Sequence, residues 1–267
     1  MKNAMRSLRK TLQLQWWFFR LSAIADLQMP FNIGLQFVND ILWYSVQIAL
    51  FETIYSHANA LGGWTVAEMR VFLGMLFTVD SMWMVLFARN FEVFSSRIVQ
   101  RDLDLLLLKP VSSQQLMTAQ KMQVGFFLNF IFSLTWLLAS LALLPGGFPS
   151  HAWLLLLVVP AGLSMFYSTA LLFGTIGLLV TRVQQLQELH MVIYRMSQRP
   201  DMFFGPKLRY FILFVIPVGM IASVPTRVMV NAEEGWPLAA LLATSIAFVW
   251  LTHRLWEWSV RRYTQIG

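Results

Sequence analysis

The stretch RIVQRDLDLLLLKP, residues 97–110, decides the architecture, because it is a charged island set between apolar runs too long for a soluble core. On either side, residues 66–88 and 124–144 each supply the roughly 20 mostly apolar residues that a bilayer-crossing helix needs. Further out, 29–55, 153–180, 210–230 and 237–256 repeat the pattern, the run at 210–230 being the least regular. Six spans are therefore expected in an all-α polytopic membrane protein that forms one domain over 1–267. Composition agrees: 57% of residues are hydrophobic, 12% charged, and the 267 residues include 22 Phe and 11 Trp, more than a soluble core of this size can bury.

Lysine and arginine set the expected orientation. They concentrate in the N-terminal segment, in 89–121, in 182–209 and in the tail from Arg254, whereas 57–65 and 145–152 carry none. Arg227 falls in the last outer segment beside the acidic Glu233 and Glu234. Both termini are thus expected in the cytoplasm. The net charge of +7 follows from this bias and from attraction to anionic inner-leaflet lipid, which removes the reason to invoke nucleic acid. The N-terminus shows no cleavable signal pattern, because Lys2, Arg6, Arg9 and Lys10 lead into an aromatic cluster, and it is read as mature sequence.

Residues 1–28 read as an interfacial helix, with Lys2, Arg6, Arg9 and Gln13 on one face and Leu8, Leu12, Trp16 and Phe19 on an adjacent one. In 182–205, Val183, Leu186, Leu189, Ile193 and Met196 recur at helical spacing against Gln184, Glu188, Arg195 and Arg199, predicting an amphipathic helix along the cytoplasmic surface that ends at Pro200.

Several blocks in order resemble the membrane subunit of a type-2 ABC exporter, the bacterial six-span permease. Gly63-Trp64-Thr65 with Glu68 opens the second span and Arg89-Asn90 closes it. Ile98 through Leu103-Asp104 to Leu107 and Lys109-Pro110-Val111 is similar to the family's Ile…Leu-Asp…Leu…Lys/Arg-Pro segment. Arg199-Pro200, Tyr210, Ile216-Pro217 and Val224-Pro225 resemble the block leading into the fifth span, and Trp256 to Tyr263 resembles its Trp…Tyr ending. Where the family usually has Gly three residues before the Asp, this chain has Arg101, and Arg carries a steric cost at positive φ that Gly does not.

The resemblance implies a transmembrane permease domain whose 91–116 segment is a coupling helix seated in a cleft of an ATP-hydrolysing subunit. Arg97, Ile98, Arg101, Asp102, Leu103, Asp104, Lys109 and Pro110 are its candidate contacts. It also implies that 206–236, a broken fifth span with an outer re-entrant region, helps to shut the outward exit. The chain has no Gly-x-x-x-x-Gly-Lys-Ser/Thr loop, and none of its five Lys follows a Gly, so ATP and Mg are expected on a separate pair of nucleotide-binding subunits and no cofactor in this chain. Six spans are few for a whole pathway, so a second permease chain, identical or related, is expected beside membrane lipid in a bacterial inner membrane.

Bland readings stand beside these. The island is also readable as a solvated loop whose charges only set topology. Asp40 and Asp80, near mid-span in the first and second runs, fit either a proton relay or polar groups holding helices together. Pro217, Gly219 and Pro225 fit a gating break or a plain kink. Two other classes follow from the same residues: a proton-coupled secondary transporter built on Asp40 and Asp80, and an interfacial lipid-processing enzyme using Arg97, Arg101, Asp102 and Asp104. His57, His151, His190 and His253 have no ligand spacing, so neither a metal nor a catalytic site is expected. Cargo class stays open among lipid, glycolipid, drug and peptide.

Overall fold

The computed structural model describes residues 2–57, 60, 63–180, 182–231 and 235–266, with side chains described from 13 to 263. The regular elements among them are all helical: α1 (Lys2–Leu27), α2 (Pro30–His57), α3 (Val66–Trp83), α4 (Arg89–Glu92), α5 (Phe94–Val99), α6 (Asp102–Leu107), α7 (Ser113–Thr118), α8 (Phe127–Ala142), α9 (Leu155–Leu179), α10 (Val183–Ser197), α11 (Pro206–Tyr210), α12 (Ser223–Val230) and α13 (Gly235–Ile266). Two π-turns, Met84–Ala88 and Phe211–Val215, prolong α3 and α11. The faces expected from Lys2 to Leu12, and Glu233 with Glu234, lie outside the described side chains.

Among the described residues, four helices are long and apolar enough to cross a membrane: Val66–Val99, Val124–Ala142, Ala152–Leu179 and Gly235–Tyr263. A bent pair, Pro206–Val215 with Val218–Val230, raises the number to five if it is counted as one span. The expected first span is not among them. It forms α2, a continuous helix of 28 residues, but Asn39, Asp40, Gln47 and Glu52 dilute its apolar run.

α3 is the central helix, its flanks filled by α8 and α9, with Val71, Phe72, Met75, Phe77 and Val79 all at zero exposure. Its start is fixed locally by a capping box, in which the Thr65 hydroxyl accepts from Glu68 N while the Glu68 carboxylate accepts from Thr65 N at 2.6 Å. Gly63, at φ 84°, supplies the preceding turn. The bundle has two ends. One carries α4 to α7, called here the elbow end. The other carries the Gly63–Thr65 turn and the 143–151 connection, called the loop end.

Two expectations about the C-terminal half are corrected. α10 does not lie across the end of the bundle; it folds back antiparallel to α9. The reversal is sharp because a Cβ on Gly177 would lie 2.7 Å from Val183 Cα, a backbone approach only glycine permits. From there α10 follows α9, with His190 beside Thr169 at 3.2 Å and Tyr194 stacked on Phe166 at 4.1 Å. The face it turns to the bundle is Val183, His190, Tyr194 and Ser197, with Ile193 and Met196 partly buried beside it, whereas Leu189 of the expected apolar stripe is exposed. Consequently the basic residues of 199–209 sit at the loop end, where Met202 Sδ accepts from Trp64 Nε1 at 2.8 Å, and not with Arg182 at the elbow end.

The second correction concerns 210–230. Its two arms meet at 77°, and both run to the loop end, one through Met202 on Trp64, the other through Met229, whose carbonyl lies 3.0 Å from His151 Nε2. The segment therefore enters and leaves at one end. Pro217 and Gly219 occupy the apex, where Pro217 interrupts the helical ladder, and Pro225 sits in the first turn of α12, where proline is tolerated. Gly162 of α9 accommodates this apex: a Cβ there would lie 2.5 Å from the Ile221 carbonyl oxygen. Arg209 and Arg227, one from each arm, both donate to the carboxylate of fully buried Asp201, a clamp the sequence reading missed.

Candidate functional site

The charged island folds as a helical elbow. α3 continues through its π-turn into α4 and α5, the chain reverses at Gln100-Arg101, and α6 returns toward α7. Arg101 makes the reversal at φ 60° and ψ 23°, and among the described residues it alone is a non-glycine at positive φ. The chain thus takes the left-handed turn that Gly would favour, with Arg carrying a strain of about 1–2 kcal/mol. The turn is closed by Arg101 N donating to the Ile98 carbonyl at 3.1 Å and by Asp104 N donating to the Arg101 carbonyl at 3.1 Å.

Once folded, the candidate contact residues separate into two sets. Arg97 is not displayed; it is half-buried, donating from Nη1 to the Leu116 carbonyl and from Nη2 to Gln120 Oε1, both at 3.2 Å. Leu103 is fully buried beside Phe94, Leu116, Met117 and Trp256, with Ile98 packed against the same cluster. Asp102 is half-buried. Outward-facing are Arg101, Asp104, Lys109 and Pro110, together with Val99, Leu105 and Leu108, which are 78%, 64% and 82% exposed. The apolar contact surface is therefore Val99, Leu105 and Leu108 rather than Ile98 and Leu103. The i, i+3 alternation of α6 holds the signal for this, since Leu103 and Leu106 face inward and Leu105 and Leu108 outward.

The elbow is tied to every long helix it meets. Asn90, fully buried, donates to the Lys121 carbonyl at 2.6 Å and accepts from Lys121 N at 2.8 Å, closing the elbow across its base. Gln114 donates to Tyr167 of α9 at 2.8 Å, and Gln187 of α10 donates to the Phe91 carbonyl at 3.0 Å. Trp256 of α13 donates to Ser113 at 3.2 Å and meets Phe94 edge-on at 6.0 Å. With so many fixed points the elbow cannot tilt independently of α9, α10 and α13.

Asp40 and Asp80 act as separate stitches. Asp40 accepts from Asn129 of α8, and Asp80 accepts from the Tyr194 hydroxyl of α10 at 2.6 Å. Each thus joins its own helix to another, which favours the structural reading of both acids. The described residues hold no cluster of three or more His, Cys, Asp or Glu able to bind a metal ion.

No curated protein and no solved structure matches the chain. A family model described as ABC-2 family transporter protein matches residues 41–267, from the middle of α2 through the elbow to the end of α13. With most of its length covered, the chain belongs to the ABC-2 transporter family.

Proposed function

We propose that the chain is the transmembrane subunit of an ATP-driven ABC exporter in a bacterial inner membrane, coupled through the elbow to a separate pair of ATP-hydrolysing subunits that carry ATP and Mg. The observation that carries this reading is the elbow's construction: an exposed tip of Val99, Arg101, Leu105 and Leu108 on a base bonded to α9, α10 and α13. A partner that grips the tip moves the whole set as a lever. Six crossings follow if α2, α3, α8, α9, α10 and α13 each traverse the bilayer, with 206–230 as a re-entrant hairpin on the outer side. Both termini are then cytoplasmic, and a second permease chain completes the pathway.

The test is recovery of the co-expressed ATPase subunit on wild type, on the double variant Arg101→Glu/Leu105→Asp, and on Arg254→Glu as a control. Interface charges and apolar anchors of this kind are worth about 2–5 kcal/mol when disrupted, so recovery should collapse for the double variant alone. Equal recovery on all three chains would remove the elbow as the docking element.

A further inference from the structure

Among the described residues, two neighbouring charges at the level of the long helices have no counterpart. Arg195, exposed on the last turn of α10, and Arg199, exposed in the bend just after it, lie four residues apart, and neither side chain makes a hydrogen bond or ion pair with any described residue. Their depth matters. Tyr194, the neighbour of Arg195, bonds Asp80 near the middle of the Val66–Val99 span, so Arg195 lies at the level where an unpaired guanidinium is most costly. Such a residue persists where it faces water or a ligand of opposite charge. Acids on adjoining elements are already engaged, Asp80 by Tyr194 and Asp201 by Arg209 and Arg227, while Glu188 two turns below accepts from Gln184.

Both arginines line a recess of about 330 Å³ between α2 and α10. Gln47 and Gln198 add neutral donors, and Leu50 and Phe51 give it an apolar wall. Two guanidiniums beside amides and an apolar wall match an acidic headgroup joined to a hydrocarbon tail, because guanidinium recognises phosphate and carboxylate with paired donors and the wall takes the tail. A cationic ligand is disfavoured in the same recess, whose only charges are positive.

We propose that this recess binds the anionic headgroup of an amphipathic cargo, a phosphate or carboxylate on an alkyl chain, with Arg195 and Arg199 as its anchors. The proposal rests on the reading of the chain as an export subunit and names the class of cargo. The test is direct binding to the full chain in phosphatidylcholine nanodiscs, with dodecyl phosphate, dodecyl maltoside and dodecyltrimethylammonium as probes. Because no ATPase subunit is present, failure here leaves the elbow-docking test untouched.

Wild type should bind dodecyl phosphate at least tenfold more tightly than the neutral or cationic probe. Arg195→Gln/Arg199→Gln should abolish that preference, and Arg182→Gln at the elbow end should keep it. Gln47→Glu, which places a carboxylate across the recess without removing either arginine, should abolish it too and covers the case in which the double variant does not fold. A preference that survives Gln47→Glu or the double variant, or no preference for phosphate in wild type, overturns the proposal. A preference that emerges only when nanodiscs of phosphate-free galactolipid replace phosphatidylcholine would assign the recess to bulk lipid phosphate and also overturns it.

Discussion

At the scale of single residues, Arg101 shows how a position can depart in chemistry while keeping its geometry. The left-handed turn is imposed by what lies on either side, Ile98 packed inward and Leu103 fully buried, and Arg is carried along with it. Arg101→Gly should therefore raise stability by about 1 kcal/mol, seen as a rise of roughly 2–4 °C in the thermal midpoint of the purified chain. No rise, or a fall, would mean that the side chain contributes more at the tip than the strain takes away. Asp40 and Asp80 were legible as costly membrane residues, but their partners were not, because Asn129 and Tyr194 lie far away in sequence and nothing in local pattern pairs them. Arg97 misled for a related reason: charge in an expected coupling helix was equated with exposure, whereas two acceptors on and just after α7 draw this guanidinium inward.

At the scale of elements, the bent segment from α11 to α12 depends on close backbone contact and on the Asp201 clamp. Gly162→Ala would push a methyl group against the Ile221 carbonyl, 2.5 Å from an ideal Cβ, so the apex must move. A destabilisation of about 1–3 kcal/mol is expected, measured as a lowered thermal midpoint, while Gly34→Ala, with nothing within 4 Å, should leave the midpoint unchanged or raised. Equal effects would show that the apex does not press on α9. The helices themselves were readable from periodicity and from Pro and Gly, and so was the break at Pro217. Their directions were less so. α10 satisfied the pattern of an interfacial helix because a helix with one face on α9 and a polar face turned away has the same moment as one lying on a membrane. Only the tight Gly177 approach to Val183, a tertiary contact, tells the two apart.

At the scale of the molecule, family membership was legible in the ordered blocks, and four of the six apolar runs form helices long and apolar enough to cross a membrane among the described residues, whereas the placement of 199–209 rested on charge alone. Positive charge sets topology through short loops, and here part of the charge is taken up by Asp201 instead. Absence of cysteine gives a clean background for labelling intact cells with a membrane-impermeant maleimide. Cysteines at Ser150 and Gly205 should both label from outside and one at Lys109 should not. Labelling at Ser150 but at neither Gly205 nor Lys109 would restore the surface-helix placement of 182–205.

The central claim is that the elbow tip is where an ATP-hydrolysing partner takes hold. In the same cysteine-free background, Leu105→Cys carrying a benzophenone should photo-cross-link to the co-expressed ATPase subunit, and Ser150→Cys at the loop end should not. A cross-link at Leu105 alone is the predicted result; none at Leu105, or equal yield at both positions, would contradict the account.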